Sequence, residues 1–237
     1  MNWGRWLDEY DREARLVPAL LTVLPLVLVA IGFGVQDNPV LAGIVAVLLA
    51  IGAPMVVAKQ VADRGRAVEK TLFAKWGAPP TTLKLIPTPD GQGGELLRQR
   101  RGRLERVSGI SLPTGPNLSD STVQTYEAAV RWLIENTRDR AKFPVVWAEL
   151  KTYGFERNAL GLRAVALTTS GCGVLALWAG AVVGSRSGHV SVGTTLALAG
   201  VCALVGMWWW LVPSETRVRR AADRYAERVL DATAAMH

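Results

Sequence analysis

The stretch VCALVGMWWWLVP, residues 201–213, ends a long apolar run with three consecutive tryptophans and a proline. Indole has a broad apolar face and one N–H donor, and it is enriched where acyl chains meet lipid headgroups. The segment that follows, SETRVRRAADRYAERV, is rich in arginine and suited to water. We therefore predict that Trp208, Trp209 and Trp210 lie exposed at a membrane interface and that the run before them crosses the membrane.

Four stretches of the 237-residue chain contain no Asp, Glu, Lys, Arg or His: residues 16–35, 40–58, 164–183 and 190–212. Each is long enough to cross a hydrocarbon core of about 30 Å, which takes roughly 20 helical residues. A helix in a soluble core seldom stays apolar on every face for five turns. No small-residue cleavage site follows the first stretch, so we expect it to be retained rather than removed as a signal peptide. The sequence predicts an all-α membrane protein with four transmembrane helices.

The basic residues predict the orientation of these helices. Of the 27 Lys and Arg, 26 lie in the N-terminal segment, between the second and third spans, or in the C-terminal tail. The positive-inside rule then places both termini and the central region in the cytoplasm, and we expect the membrane to be a bacterial inner membrane. The expected division is a cytoplasmic segment 1–15, a transmembrane hairpin 16–58, a mainly helical cytoplasmic domain 59–162, a second hairpin 163–212 and a cytoplasmic helix 213–237.

The cytoplasmic domain has helical spacing from residue 61 to 76, a loop-rich arm around a short segment 95–107, and two further helical patterns. Ser121 and Gln124 have the spacing of a capping box that begins one of these helices. The stretch PVVWAELKTYG predicts another short helix, with Gly154 as its C-cap. A net charge of +7 follows from the insertion topology, so we expect no nucleic-acid partner.

Small residues four apart let helix backbones approach each other in lipid. The third span offers Ala176, Gly180 and Gly184, and the fourth offers Gly193 and Ala197. Such contacts serve either one bundle or several subunits, and we expect a homo-oligomer in the lipid bilayer. The lack of ionisable residues within the spans disfavours a proton- or ion-coupled transporter.

Five arginines fall within nine residues of the cytoplasmic domain: Arg98, Arg100, Arg101, Arg103 and Arg106. Such a cluster can bind phosphate groups through charge-assisted hydrogen bonds, either on anionic lipid or on a soluble ligand such as a nucleotide messenger. A solvated cytoplasmic arm has the same composition. The sequence leaves these alternatives open.

Catalytic signatures are missing from the sequence. Its two histidines, His189 in a predicted outer hairpin and His237 at the last position, form neither a catalytic triad nor a zinc site, and no P-loop pattern occurs. Cys172 and Cys202 lie within predicted spans and are expected to be free thiols. We therefore expect no enzyme activity, no metal and no cofactor.

Two stretches, WGAPPTT at residues 76–82 and YGFERNALGLR at residues 153–163, resemble patterns of a family of small bacterial four-span membrane proteins. The family has a glycine where Ala78 stands here and an arginine where Glu156 stands. Four-span membrane effectors of bacterial defence systems have a similar layout. The second stretch also reads as a helix leading into the third span, with Arg157 and Arg163 at headgroup level. The residues expected at the interface between domain and membrane are Trp76, Tyr153, Arg157 and Asn158.

Together these features predict a non-enzymatic membrane effector. We expect an oligomeric pore or channel-like bundle controlled by a ligand or a protein partner at the cytoplasmic domain, and the resemblance implies a setting in antiviral defence. The alternative is a membrane scaffold or regulatory subunit that recruits a cytoplasmic partner.

Overall fold

The computed structural model describes residues 10, 12–33, 53–87, 94–114, 119–187 and 191–236. Every regular element within these ranges is helical. One π-helical turn, Arg12–Leu16, precedes the first α-helix, and one 3₁₀ turn, Ala232–Ala235, follows the last. The α-helices are α1 (Val17–Gly32), α2 (Ala53–Trp76), α3 (Pro80–Leu83), α4 (Gly94–Ser108), α5 (Asp120–Asn136), α6 (Pro144–Ser187), α7 (Val192–Leu211) and α8 (Glu215–Asp231).

Three of the described helical segments are long and apolar enough to cross a membrane: Arg12–Gly32, Pro144–Gly184 and Val192–Leu211. They include most of the predicted first and fourth spans and the whole of the predicted third span. The predicted second span, residues 40–58, lies outside the described residues except for its last six, which belong to α2. The prediction of an all-helical chain is therefore confirmed for the described residues, and three of their helices could span a membrane.

The chain divides into two compact units. Unit 1 comprises residues 1–69 and 154–215, and unit 2 comprises residues 70–153 and 216–237. Unit 2 therefore combines most of the predicted cytoplasmic domain with the predicted C-terminal helix.

The helices of unit 1 pack closely at glycine residues, where a side chain would meet atoms of a neighbouring segment. A β-carbon at Gly173 would lie 3.1 Å from both Pro25 Cβ and Cys202 Sγ, and one at Gly180 would lie 2.9 Å from Phe33 Cζ. The α1 helix continues through Pro25, and Thr22 donates its hydroxyl proton to the Pro18 carbonyl at 2.8 Å. Since these sites leave little room for a side chain, α6 packs closely there against side chains of α1, of α7 and of Phe33.

Unit 2 has a separate hydrophobic core. The α8 helix is amphipathic, and its apolar residues recur at helical spacing and are buried. Tyr126 and Leu133 of α5 and Leu104 of α4 belong to the same core and are fully buried. The buried residues of α8 are Val218, Ala221, Ala222, Ala226, Val229 and Leu230.

Two helix boundaries differ from those expected. Gly154 is not a C-cap, because α6 runs without interruption from Pro144 to Ser187. A β-carbon at Gly154 would lie 2.6 Å from Tyr10 Oη, so this glycine permits a close contact instead of ending a helix. The α5 helix begins earlier than the predicted capping box, because its N-cap is Ser119, whose hydroxyl accepts from the Thr122 N–H.

Candidate functional site

The predicted arginine cluster lies on α4, where successive side chains point in different directions around the helix. Arg98 forms an exposed ion pair with Glu95 at 2.6 Å. Arg100 donates from Nε and Nη2 to Asp231 at 3.0 and 2.8 Å. Both of these arginines are therefore neutralised by neighbouring carboxylates.

Arg101 connects three segments of unit 2. Its Nη1 donates to the Leu85 carbonyl at 2.6 Å and to the Tyr126 hydroxyl at 2.9 Å. Its Nη2 donates to the Pro113 carbonyl at 2.5 Å, and the Tyr126 hydroxyl donates to the same carbonyl at 3.1 Å. The guanidinium group thus satisfies the carbonyls of Leu85 and Pro113, which would otherwise accept hydrogen bonds from water. Its arrangement fits a structural role better than ligand binding.

The remaining two arginines, Arg103 and Arg106, line a cavity of about 560 Å³. They are three residues apart and therefore lie on one face of α4. Lys142, in the turn before α6, contributes a third positive charge. We call this space the cationic cavity; its other lining residues are Val107, Trp132, Asn136, Thr233, Ala234 and Met236.

The cationic cavity has no acidic side chain in its lining. The neighbouring carboxylates are bound elsewhere: Glu105 accepts from the Leu112 N–H at 2.7 Å, and Asp139 accepts from the N–H groups of Ala141 and Lys142. Across the part of unit 2 that the structure describes, Arg103 and Arg106 form no ion pair. The cavity therefore carries a local excess of positive charge.

A second polar feature is buried in unit 1. Arg157 Nη1 and Glu69 Oε2 form an ion pair at 2.6 Å, with side chains only 11% and 23% exposed. Asn158 is fully buried and donates from Nδ2 to the Ala14 carbonyl at 2.7 Å. These contacts join α6 to α2 and to the turn that precedes α1.

The contact between α2 and α6 depends on two glycines. A β-carbon at Gly65 would collide with the Asn158 amide oxygen, and one at Gly161 would lie 3.0 Å from the Arg64 carbonyl carbon. These two helices therefore cross at near-backbone contact. The glycine pair and Glu69 were not identified from the sequence.

The four residues expected at an interface between domain and membrane are divided between the two units. In unit 2, the Arg219 guanidinium lies 4.7 Å from the centre of the Trp76 ring, and Tyr153 stacks on Tyr225 at 6.1 Å. In unit 1, Arg157 is buried in its ion pair. Glu69 compensates the Arg157 charge inside the protein. The position of Arg157 at headgroup level stays a prediction.

The three consecutive tryptophans have different environments. Trp209 is fully buried against Ala159, Leu162 and neighbouring residues, Trp208 is half-buried, and Trp210 is 64% exposed. The Trp210 carbonyl accepts from Arg163 Nη2 at 2.9 Å. The expectation of three exposed indoles is corrected for Trp209, because successive helical residues point about 100° apart and one of them faces the core.

The predicted helix-packing residues also differ in burial. Gly180 and Gly184 are buried and Ala176 is half-buried, so this stripe of α6 faces the inside of unit 1. Gly193 and Ala197 are exposed on α7, and a β-carbon at Gly193 would meet no atom within 4 Å. The α7 pair is thus exposed, and Gly193 has open space beside it.

No group of three or more metal-ligating side chains occurs among the residues that the structure describes. Comparisons with protein-family models, with curated proteins and with solved structures give no match.

Proposed function

We propose that this chain is a non-enzymatic membrane effector of the bacterial cytoplasmic membrane. Its helices associate as an oligomeric pore or channel-like bundle, and unit 2 controls that bundle by binding a ligand or partner. The observation that carries the proposal is the presence, in one chain, of three apolar helices that could span a membrane and a second compact unit with a cationic cavity.

The surface of unit 1 supports its insertion in lipid. Large apolar side chains are exposed on each of the three apolar helices, among them Leu20 at 59%, Leu175 at 67% and Leu204 at 61%. Contiguous exposed apolar surface of this kind is unfavourable in water and is normal for a helix surrounded by acyl chains.

The exposed small residues of α7 support association between subunits. Gly193 and Ala197 are four residues apart and both are exposed, and a β-carbon at Gly193 would meet no atom within 4 Å. A smooth face of this type lets a helix of another copy approach closely, where van der Waals contacts are strongest.

The basic residues support a cytoplasmic position for both termini and for unit 2. Single cysteines introduced at the exposed Ala128 of α5 and the exposed Ala234 near the C-terminus would report their side of the membrane. In intact cells, a membrane-impermeant maleimide should label neither cysteine until the inner membrane is opened. Labelling before opening would contradict the proposed orientation.

Reconstitution in liposomes tests the effector proposal. We expect the purified chain to form a homo-oligomer and to release a small entrapped dye or ions. A chain that leaks nothing with or without phosphate-bearing ligands, and that purifies with a stoichiometric protein partner, would instead be a membrane scaffold.

A further inference from the structure

The three positive charges of the cationic cavity come from different parts of unit 2. Arg103 and Arg106 extend from one face of α4, and Lys142 extends from the turn before α6. A guanidinium group presents several N–H donors in a plane and binds phosphate oxygens in pairs, whereas an ammonium group acts as a compact charge. Three cations without an acidic neighbour in the lining therefore favour a ligand with more than one negative charge.

The rest of the cavity lining is partly apolar. Trp132 packs against the core of unit 2 and is only half-exposed, so its ring is held in place. Val107 and Met236 also line the cavity. Asn136 donates one amide proton to the Trp132 carbonyl at 2.8 Å, and the rest of its amide is available to a ligand. Such a wall is suited to the non-phosphate part of a ligand.

The cavity volume of about 560 Å³ lies in the range of small-molecule sites, which is roughly 300–1,000 Å³. We infer that the cationic cavity binds a small phosphate-bearing anion with at least two negative charges, held by Arg103, Arg106 and Lys142, with its organic part against Trp132. The ligand comes either from solution or from a lipid headgroup, since both present the same phosphate chemistry. This inference rests on the proposed function, because it names the class of ligand that unit 2 senses.

The test measures binding to the full chain in nanodiscs of phosphatidylcholine, by calorimetry with pyrophosphate and with adenosine diphosphate. We expect saturable binding, weakened at least about tenfold by Arg103→Gln or Arg106→Gln, because each change removes charge-assisted hydrogen bonds. The double variant Arg131→Gln, Arg138→Gln is the matched control. Arg131 lies on α5 and Arg138 lies just after it, and both line a different groove. The same loss of charge should therefore change affinity by less than about twofold.

Trp132→Phe separates the two parts of the ligand. It should weaken adenosine diphosphate several-fold and leave pyrophosphate unchanged, because only the nucleotide has a ring to stack. Native mass spectrometry of protein from cardiolipin-containing membranes provides the lipid arm, because the cardiolipin headgroup carries two phosphates. The wild type should retain that lipid, and the Arg103→Gln, Arg106→Gln double variant should lose it. This result, without binding of the soluble probes, would assign the site to a lipid headgroup.

Failure of both arms, or equal weakening by the Arg131→Gln, Arg138→Gln control, would overturn the inference. Because binding is measured without any flux, the two proposals fail separately. Dye release without ligand binding would contradict the role of the cavity as a ligand site and leave the pore proposal standing. Ligand binding to a chain that releases no dye or ions would contradict the pore proposal and leave the ligand site standing.

Discussion

The amide oxygen of Asn158 lies where a β-carbon of residue 65 would be, so Asn158 and Gly65 fit together only because position 65 has no side chain. Asn158 cannot easily turn away, since it is fully buried and donates to the Ala14 carbonyl. The contact between α2 and α6 therefore depends on this pair.

Substitution of Gly65 by alanine should destabilise unit 1 by about 1–3 kcal/mol, the usual cost of inserting a methyl group into a packed contact. Gly161→Ala should cost less, because its β-carbon would be 3.0 Å or more from its neighbours. Thermal unfolding in detergent, followed by circular dichroism, measures both. Gly171→Ala on the same α6 helix is the control, since a β-carbon there meets nothing within 4 Å. Equal melting temperatures for all three variants would contradict this account.

The ion pair between Arg157 and Glu69 should contribute more than a surface pair. Removing one partner leaves a largely buried charge, so Glu69→Gln should lower the free energy of unfolding by about 2–3 kcal/mol. Asp63 and Arg66 form an exposed ion pair on the same α2 helix, and Asp63→Asn should cost less than about 0.5 kcal/mol. Denaturant titration of both variants measures the difference, and similar losses would show that burial of the pair has no energetic effect.

Arg101→Lys should destabilise unit 2 without affecting the cationic cavity directly. Lysine cannot reproduce hydrogen bonds to the Leu85 and Pro113 carbonyls together, so we expect a loss of about 1.5–3 kcal/mol. Arg98→Lys, at an exposed ion pair, is the control and should be nearly neutral. Hydrogen exchange of α4 and α5 amides reports the change within unit 2. Unchanged protection in Arg101→Lys would argue against the structural role of this arginine.

Among the tryptophans, only the loss of Trp209 should be severe. Trp209→Ala removes a fully buried side chain and should cost about 3–5 kcal/mol, whereas Trp210→Ala removes a largely exposed one and should cost less than about 1 kcal/mol. Unfolding of the two variants in the same detergent compares them. Comparable losses would place Trp210 in a contact that the single chain does not contain.

The α7 face gives a prediction about assembly. Ala197→Leu adds bulk to the exposed small-residue face, so it should reduce the oligomer mass and the dye flux while leaving the melting temperature of the monomer unchanged. Leu196→Ala, on a neighbouring exposed position, should change neither. Light scattering in detergent measures the mass, and an unaltered oligomer in Ala197→Leu would exclude this face as the contact.

Much of the fold follows from local patterns in the sequence. The charge-free runs predict the apolar parts of α1, α6 and α7, because length and the lack of charge are sufficient signals for a membrane helix. Gly154 shows the limit of such signals. A glycine beside helical residues serves equally as a C-cap or as a site of close approach, and the choice depends on Tyr10, which is distant in sequence.

The site is less predictable because its members come together from distant positions. Arg100 meets Asp231 across 131 residues and Arg157 meets Glu69 across 88. One signal was available in the sequence: Arg103 and Arg106 are three apart and therefore lie on one helix face. Nothing local indicates that Lys142 and Trp132 face the same cavity.

The hydrogen bond from Asn158 to the Ala14 carbonyl also has a consequence for biogenesis. The donor is 144 residues after the acceptor. In a second hydrogen bond, the Thr169 hydroxyl donates to the Thr22 carbonyl of α1, which lies 147 residues earlier. At a synthesis rate of about 5–20 residues per second, the ribosome needs roughly 7–30 s between making the two ends of either bond. During that interval the newly made α1 lacks both hydrogen bonds to α6. An insertase or chaperone bound to α1 would therefore have to stay bound until α6 has been synthesised.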